Sequence, residues 1–502
     1  MIRWSPCGVV VALMAAVAAV VPAPCESAAS AQALIVGVVT GSSAAGVDTS
    51  RGQAQRDGGV TAKTLAMAWS AYEPGNGQWS AAYAAAKRAE LATYQAQGFA
   101  VVADFGMQYT PKWVLGLDND TRYVDQYGNA YTSTEPGKNV ADAVFDPKVR
   151  AAVGAYLNKA VKDLGVQNLT GIRVGGGWYG ELHYPVSGAN SLWGYSANAL
   201  RSNPVPGWIP NPVANGTFEA GSAKWTLAPG DTVAHALRKT GGEASQSVRV
   251  AAGRQYTVTA RVKSSGTVVP CVRIAGLTTT CTKTTTADGW TTVRSTFTAR
   301  DAQQTVQLPS AAPATVWYDD VSITSGTNPA DFTHAKARAF WNWYRNALTG
   351  YQNWQIATYR AAGFQGMLYV LYPSYGVRTR AKADQAAAAI NFDLSATTAA
   401  SLGQDIGQGT DWAAQVAAYP AGDTNITPYT TWIDGPTAYP GDDEGGWSPA
   451  RELAAIAHAN GRQVAGENTA NAEPRAARAA FALAADYGYR TVFWFNEDKF
   501  AS

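Results

Sequence analysis

Two glutamates in this chain stand where a carboxylate can do chemistry. The run Ile172-Arg-Val-Gly-Gly-Gly-Trp-Tyr-Gly-Glu181-Leu-His-Tyr-Pro185 ends a short apolar stretch in three glycines and delivers Glu181 among Trp178, Tyr179, His183 and Tyr184. Toward the other end, Gly461-Arg-Gln-Val-Ala-Gly-Glu467-Asn468-Thr469 repeats the pattern. Glycines closing a strand allow close backbone approach. Two carboxylates that face each other across a sugar can split a glycosidic bond: one protonates the leaving oxygen, and the other attacks the anomeric carbon or activates water. The acidic runs Asp118-Asn-Asp120 and Asp442-Asp-Glu444 read as solvated loops, and Glu497 and Asp498 as rim residues. No Ser-His-Asp elbow, phosphate loop or zinc spacing accompanies them, and four His leave little room for a catalytic metal.

A pair so far apart in sequence needs a scaffold that brings strand ends together. From Leu34 to about Leu200 apolar strands alternate with helical stretches, which points to a parallel sheet with crossover helices. Strands are expected at Val36 to Val39, Leu65 to Trp69, Phe99 to Phe105 and Gly171 to Val174, with helices from Ala81 to Gln97 and from Pro147 to Leu164. Between 211 and 325 the period changes to the Thr- and Val-rich alternation of an all-β sandwich. Helix-strand alternation then resumes, with strands expected at Gly366 to Leu371, Tyr429 to Ile433, Gln463 to Ala465 and Thr491 to Phe495. The expected fold is therefore an α/β chain, a (β/α)8 barrel formed by 32–210 and 326–502 and interrupted by the sandwich 211–325. In such a barrel the active site lies at the carboxyl ends of the strands, where both glutamates fall.

Composition narrows the partner. The net charge of +2 with 15% charged residues offers no basic stripe for nucleic acid and no acidic field, so a neutral partner fits best, and the carboxylate pair makes an oligo- or polysaccharide substrate the expectation. Seventeen Trp and 24 Tyr supply rings on which sugar faces can stack. Trp69, Tyr109, Trp113, Trp178, Tyr179, Tyr372, Tyr375, Trp432, Asn468 and Trp494 are the expected substrate contacts. Residues 1–31 have the layout of a cleaved signal peptide: an early Arg3, the apolar run Val9 to Val21, then Ala29-Ser30-Ala31. That run falls short of the roughly 20 residues a bilayer span needs, so secretion without membrane insertion is expected. Cys271 and Cys281 then read as a disulfide stapling neighbouring strands.

Several stretches resemble known families. Ala68-Trp-Ser-Ala-Tyr-Glu-Pro-Gly-Asn-Gly-Gln-Trp79, Gly98-Phe-Ala-Val-Val102 and Thr110-Pro-Lys-Trp113 look like the start of clan A glycoside hydrolases, especially the family 42 β-galactosidases. The resemblance implies a retaining enzyme with the acid/base after the fourth strand, at Glu181, and the nucleophile after the seventh, at Glu467. Trp494 would floor the subsite of the cleaved sugar, and Arg173 or Tyr372 would hold Glu467 ionised. Clan A members usually carry Asn directly before the acid/base, where this chain has Gly180. Gly180-Glu-Leu-His-Tyr-Pro185 is instead similar to the Gly-Glu-Leu-Arg-Tyr-Pro stretch of β-amylases, which implies an inverting alternative with the same two residues as acid and base. A glycan-binding protein without catalysis is the further alternative. The insert opens on Asn215-Gly-Thr-Phe-Glu219 and closes on Val316-Trp-Tyr-Asp-Asp320-Val-Ser-Ile323, ends that resemble jelly-roll carbohydrate-binding modules; the likeness implies a structural calcium held by Glu219 and Asp320. No cofactor is expected for catalysis.

Overall fold

The computed structural model describes residues 34–39, 50–186, 191–219, 221–266, 268–282, 289–310, 314–325, 334–373, 407–434, 447–469 and 474–495. The expected signal peptide, Tyr375, Asp442 to Glu444, Glu497 and Asp498 lie outside them.

Eight parallel strands close into a barrel in the order β1, β17, β16, β15, β14, β4, β3, β2. They are β1 (Ile35–Val39), β2 (Ala62–Ala68), β3 (Ala100–Gly106), β4 (Gly171–Val174), β14 (Met367–Tyr372), β15 (Ile426–Thr430), β16 (Ala465–Glu467) and β17 (Thr491–Phe495). Successive side chains on each strand alternate between the barrel interior and the outer layer of helices. Val102, Tyr369, Leu371, Tyr429 and Phe493 fill the interior, while Leu368, Val370, Tyr372 and Trp494 belong to the surrounding core.

The helices start where the sequence supplies caps. The Asp146 side chain accepts from the backbone N–H groups of Lys148 and Val149 at 2.7 and 3.2 Å ahead of Pro147, opening Pro147–Leu164, and Ser448 accepts from Arg451 to open Pro449–Ala459. Helix 147–164 buries Val149, Val153, Tyr156, Leu157 and Val161, the stripe that a 3.6-residue period predicts. The described helices include none long and apolar enough to cross a membrane.

The sandwich enters after the helix Ala197–Ser202 and leaves ahead of the helix His334–Ala361. Its sheets have the orders β10, β9, β12, β7 and β11, β8, β13, β6, β5. They comprise β5 (Thr232–Val233), β6 (Leu237–Lys239), β7 (Glu243–Arg249), β8 (Gln255–Ser264), β9 (Cys271–Ile274), β10 (Thr278–Cys281), β11 (Thr291–Thr298), β12 (Gln303–Pro309) and β13 (Val316–Ser325). Cys271 and Cys281 are directly paired across β9 and β10 and are joined by a disulfide. The insert interrupts the chain of the barrel as expected but leaves its sheet closed, because β4 and β14 pair with each other, Ile172 beside Leu368.

Two expected strands are displaced. The fold uses Ile426–Thr430, not Tyr429 to Ile433, with Pro428 inside it. A proline lacks the N–H of a ladder and argues against a central strand, yet here pairing with β16 begins only at Tyr429. The strand expected at Gln463 to Ala465 likewise runs later, over Ala465–Glu467, so that Glu467 is itself its last residue.

A buried carboxyl lies in the segment between β3 and the helix Pro147–Leu164. Asp142 accepts from Phe145 N at 2.9 Å and from Ser196 Oγ at 3.1 Å, and burial pushes it up to about 8. A carboxyl raised in the folded state favours folding most below its unfolded value, near 3.8, and that contribution is lost as pH rises to about 8. Asp142→Asn keeps an acceptor for Phe145 and offers a donor to Ser196 without the ionisation. Its melting temperature is therefore expected to rise above the parent's as pH goes from 4 to 8; a gap that shrinks over that range contradicts the assignment.

Candidate active site

The three glycines after β4 make a turn that other residues could not. A Cβ at Gly175 would lie 2.1 Å from the Gly180 carbonyl oxygen, and one at Gly177 would lie 2.4 Å from that of His183. The chain folds back on itself, with Gly176 N donating to Gly180 O at 2.9 Å and Gly177 N to Glu181 O at 2.7 Å. Gly180 has φ +89°, so the Asn that clan A enzymes carry at this point would be strained here. Tyr179 accepts the left-handed region at φ 56° and is 57% exposed. Leu182 N then donates to Leu371 O at 2.8 Å, which ties the segment to β14 beside the barrel mouth.

Glu181 and Glu467 open into one cleft of about 670 Å³ at the carboxyl ends of the strands. Glu467 ends β16 and is nearly wholly buried. Each of its oxygens has a donor: Arg173 Nη2 reaches Oε1 at 2.7 Å, and the Tyr429 hydroxyl reaches Oε2 at 3.0 Å. Burial pushes Glu467 above the usual carboxylate value; Arg173 and Tyr429 pull it down without offsetting that, and the negative charges of Glu181 and Asp104 add to the rise. Glu181 is more open, its side chain 19% exposed, with Oε2 3.2 Å from His183 Nε2. The His183 ring is fixed from its other side, with Nδ1 2.6 Å from the Tyr184 carbonyl. Nε2 lies in addition 3.1 Å from the Trp178 carbonyl oxygen, so both ring nitrogens face a backbone carbonyl.

The expected contacts fall into two groups. Tyr109, Trp178, Tyr179, Trp432 and Asn468 line the cleft with the two glutamates. Asn468 Oδ1 accepts from Phe495 N at 2.6 Å, joining the ends of the last two strands. Trp69, Trp113, Tyr372 and Trp494 do not line it. Trp69 stacks on Tyr156 at 5.3 Å and donates to Glu73 Oε2 at 2.9 Å, and Trp113 Nε1 donates to the Glu73 carbonyl at 3.1 Å. The Trp-Ser-Ala-Tyr-Glu-Pro stretch thus builds a packed corner under the mouth. Tyr372 faces outward and donates to Gln352 Oε1 at 2.8 Å, and Trp494 stacks outward on Phe481 at 5.9 Å. A one-residue step along a strand reverses the face, so the inward aromatic at the end of β17 is Phe495.

Several cleft residues were not expected. Asp104 follows the inward parity of β3 and lies 3.6 Å from Arg173 Nη1; Gln108, Gln408, Thr431 and Thr469 also line the site. Parity on the strand expected at Phe99 to Phe105 could have exposed Asp104, whereas the loop residues carry no periodic signal. Arg173 meets the expected role of a donor to Glu467, and Tyr429 takes the one expected of Tyr372.

In the sandwich, Glu219 Oε2 lies 2.6 Å from His235 Nδ1, and Asp320 accepts from Arg261 at 2.9 Å. Among the described residues no group of three or more His, Cys, Asp or Glu could hold a metal ion.

No protein-family model matches the chain, and neither does any curated protein sequence. Among solved structures, the catalytic domain of the β-amylase from Paenibacillus polymyxa is similar over 92% of this chain and 91% of its own, with a TM-score of 0.51 and 13% identity. A module described as CBM4 and the N-terminal cellulose-binding domain of Cellulomonas fimi β-1,4-glucanase C cover 23% of this chain, at 19% and 23% identity and TM-scores of 0.19. At these identities the first likeness speaks to fold: this chain shares the closed parallel barrel of a β-amylase catalytic domain.

Proposed function

We propose that this protein is a secreted glycoside hydrolase acting on a neutral saccharide, with Glu181 as acid/base and Glu467 as nucleophile. The observation that carries the reading is the convergence of two carboxylates, one buried between Arg173 and Tyr429 and one more open beside His183, on a single cleft at the carboxyl ends of barrel strands. Such a pair in unlike environments is what acid-assisted acetal cleavage requires.

Glu181, protonated, gives its proton to the leaving oxygen as the bond to the anomeric carbon breaks. The Glu467 carboxylate takes that carbon as an ester. Water, losing a proton to Glu181, then releases the sugar and frees Glu467. The aromatic lining, Tyr109, Trp178, Tyr179, Trp432 and Phe495, suits the apolar faces of a sugar. Secretion rests on the signal-like leader and is consistent with the disulfide.

A second reading, inversion, is favoured by the β-amylase-like run Gly180-Glu-Leu-His-Tyr-Pro185, and the outward turn of Trp494 removes one of the clan A likenesses behind retention. NMR of the first-formed product decides: the substrate's own anomer supports retention, and the opposite anomer supports inversion with Glu467 as base.

The test of the function is hydrolysis by the purified mature chain of α- and β-glycosides of galactose, glucose, arabinose and fucose and of their polymers. Turnover of one class supports the reading. Binding without turnover across the set would replace it with a glycan-binding role.

For the insert, a calcium between Glu219 and Asp320 would compete with His235 and Arg261, each of which engages one oxygen of these carboxylates. The melting temperature is expected to be the same in excess calcium and in EDTA; a clear rise with calcium would restore the ion.

A further inference from the structure

A second hollow, of about 370 Å³, lies next to the catalytic cleft, and Trp178 is common to the walls of both. The volume falls in the range of roughly 300 to 1,000 Å³ usual for ligand sites. Its far wall includes Arg249, the last residue of β7, so the inserted sandwich completes a groove that begins in the barrel.

This wall is fixed. Residues 124–130 form a hairpin, with Val124 bridged to Ala130, and Asp125 Oδ1 accepts from Tyr127 N and Asn129 N, each at 2.9 Å. Ser191 Oγ donates to Asp125 Oδ2 at 3.2 Å. The hairpin tip is held against the sandwich, where the Arg249 guanidinium lies 4.6 Å from the centre of the Tyr127 ring and 3.5 Å from Asp125, and Arg254 donates to Gln126 O at 3.4 Å. The ridge between the hollows is held as well. Lys138 Nζ lies 4.6 Å over the Trp178 ring and 4.7 Å over the Tyr179 ring, and Tyr179 N donates to Gly137 O at 3.0 Å. An exposed tyrosine in a left-handed backbone costs energy that only a purpose or its surroundings sustain.

The lining states the ligand's chemistry. Its charges are paired within the wall, Arg249 with Asp125 and Lys138 with Glu135, and the Ser191 hydroxyl and Asn129 amide NH2 donate to Asp125, which leaves Thr132, Ser133 and the Asn129 side-chain carbonyl to meet hydroxyls and the Trp178 ring to meet a sugar face. Glu181, the proton donor of the proposed reaction, follows Trp178 and Tyr179 in the same turn, so the leaving group departs on this side of the cleft.

We propose that the leaving-group end of the substrate continues past Trp178 into this second hollow, and that the substrate is an uncharged oligosaccharide several units long whose far end meets the inserted sandwich at Arg249. This rests on the hydrolase reading. It makes the insert part of the substrate groove, whatever else it binds.

The experiment measures kcat/KM of the full chain on a series of oligosaccharides of the sugar it cleaves, lengthened one unit at a time on the leaving-group side, beside an aryl glycoside of the same sugar. The expected result is a rise of at least tenfold that levels off once the groove is filled. Thr132→Trp, which fills the hollow from an exposed position, and Arg249→Ala are each expected to cut the ratio of long to short substrate at least fivefold. Turnover that does not depend on length, or a length dependence that both variants leave unchanged, overturns the groove and leaves the hydrolase standing. No turnover on any length, the aryl glycoside included, overturns both.

Discussion

Replacing Glu467 by Gln is expected to lower kcat/KM on the cleaved glycoside by on the order of a thousandfold, about 4 kcal/mol of transition-state stabilisation, with little change in melting temperature. The carboxylate is asked to bond to, or deliver water to, a carbon bearing positive charge, and an amide does neither well. The cost to the fold is small because the amide fits the same cage. Its oxygen can accept from Arg173, and its NH2 group can donate to the Tyr429 hydroxyl, which accepts as readily as it donates. Loss of less than tenfold in a folded variant would remove Glu467 from the chemistry.

The second large effect is expected at Arg173. Its guanidinium is almost entirely buried, 2.7 Å from Glu467 and 3.6 Å from Asp104, and it is the cation that opposes the burial of Glu467. Removing one partner of a buried ion pair typically costs about 3 to 5 kcal/mol, because the remaining charge is left uncompensated. Here Glu467 has a way out: it takes up a proton. The Arg173→Met variant should therefore remain folded in mild acid and lose at least about a hundredfold in kcat/KM at neutral pH, about 2.7 kcal/mol.

The pH profile separates this from a structural role. In the parent, Glu467 must be ionised, and its value already stands above the ordinary 4.5, so activity should rise with pH through a limb that lies above 4.5. Taking away Arg173 removes the largest influence that lowers it, and the limb moves further up. Arg173→Lys keeps the charge but not the two-pronged reach, and should fall between parent and Met in limb position. A limb that stays where it was in Arg173→Met, with activity merely scaled down, would mean that Arg173 supports the wall and not the charge of Glu467.

Much of the barrel was legible because its strands are short apolar runs separated by helices with readable caps. The insert announced itself by a change of period. Glu181 and Glu467 stood out because each follows glycine at the end of a strand. The failures have a common physical cause, since the face of a strand alternates at every residue and a small error in register inverts it. Trp494 and Tyr372 were assigned to the cleft from their places near strand ends, yet both point into the helical layer, and the inward positions belong to Phe495 and Tyr429. Tyr429 was hidden further by Pro428, which pushed the expected strand past its true end.

Trp69 and Trp113 show a different limit. A tryptophan ring reads as a sugar platform, but here Glu73 is buried and anchors both rings, Trp69 through its carboxylate and Trp113 through its carbonyl. Tertiary packing decides between the two uses, and spacing does not encode it. The wall shared between the barrel hairpin and Arg249 was likewise beyond reach of the sequence, because its two sides lie in separate domains.

The most direct test of the central claim compares kcat/KM of Glu181→Gln, which reports the bond-cleaving step and not the later release by water, on two glycosides of the same sugar, one whose leaving group departs without protonation, such as a dinitrophenolate, and one whose leaving group is another sugar. The account predicts that the variant loses on the order of a thousandfold on the sugar leaving group and at least about a hundredfold less on the activated one, since only the former needs the proton of a general acid. Equal losses on both, or no loss on either, would show that Glu181 is not the acid and would contradict the assignment of the pair.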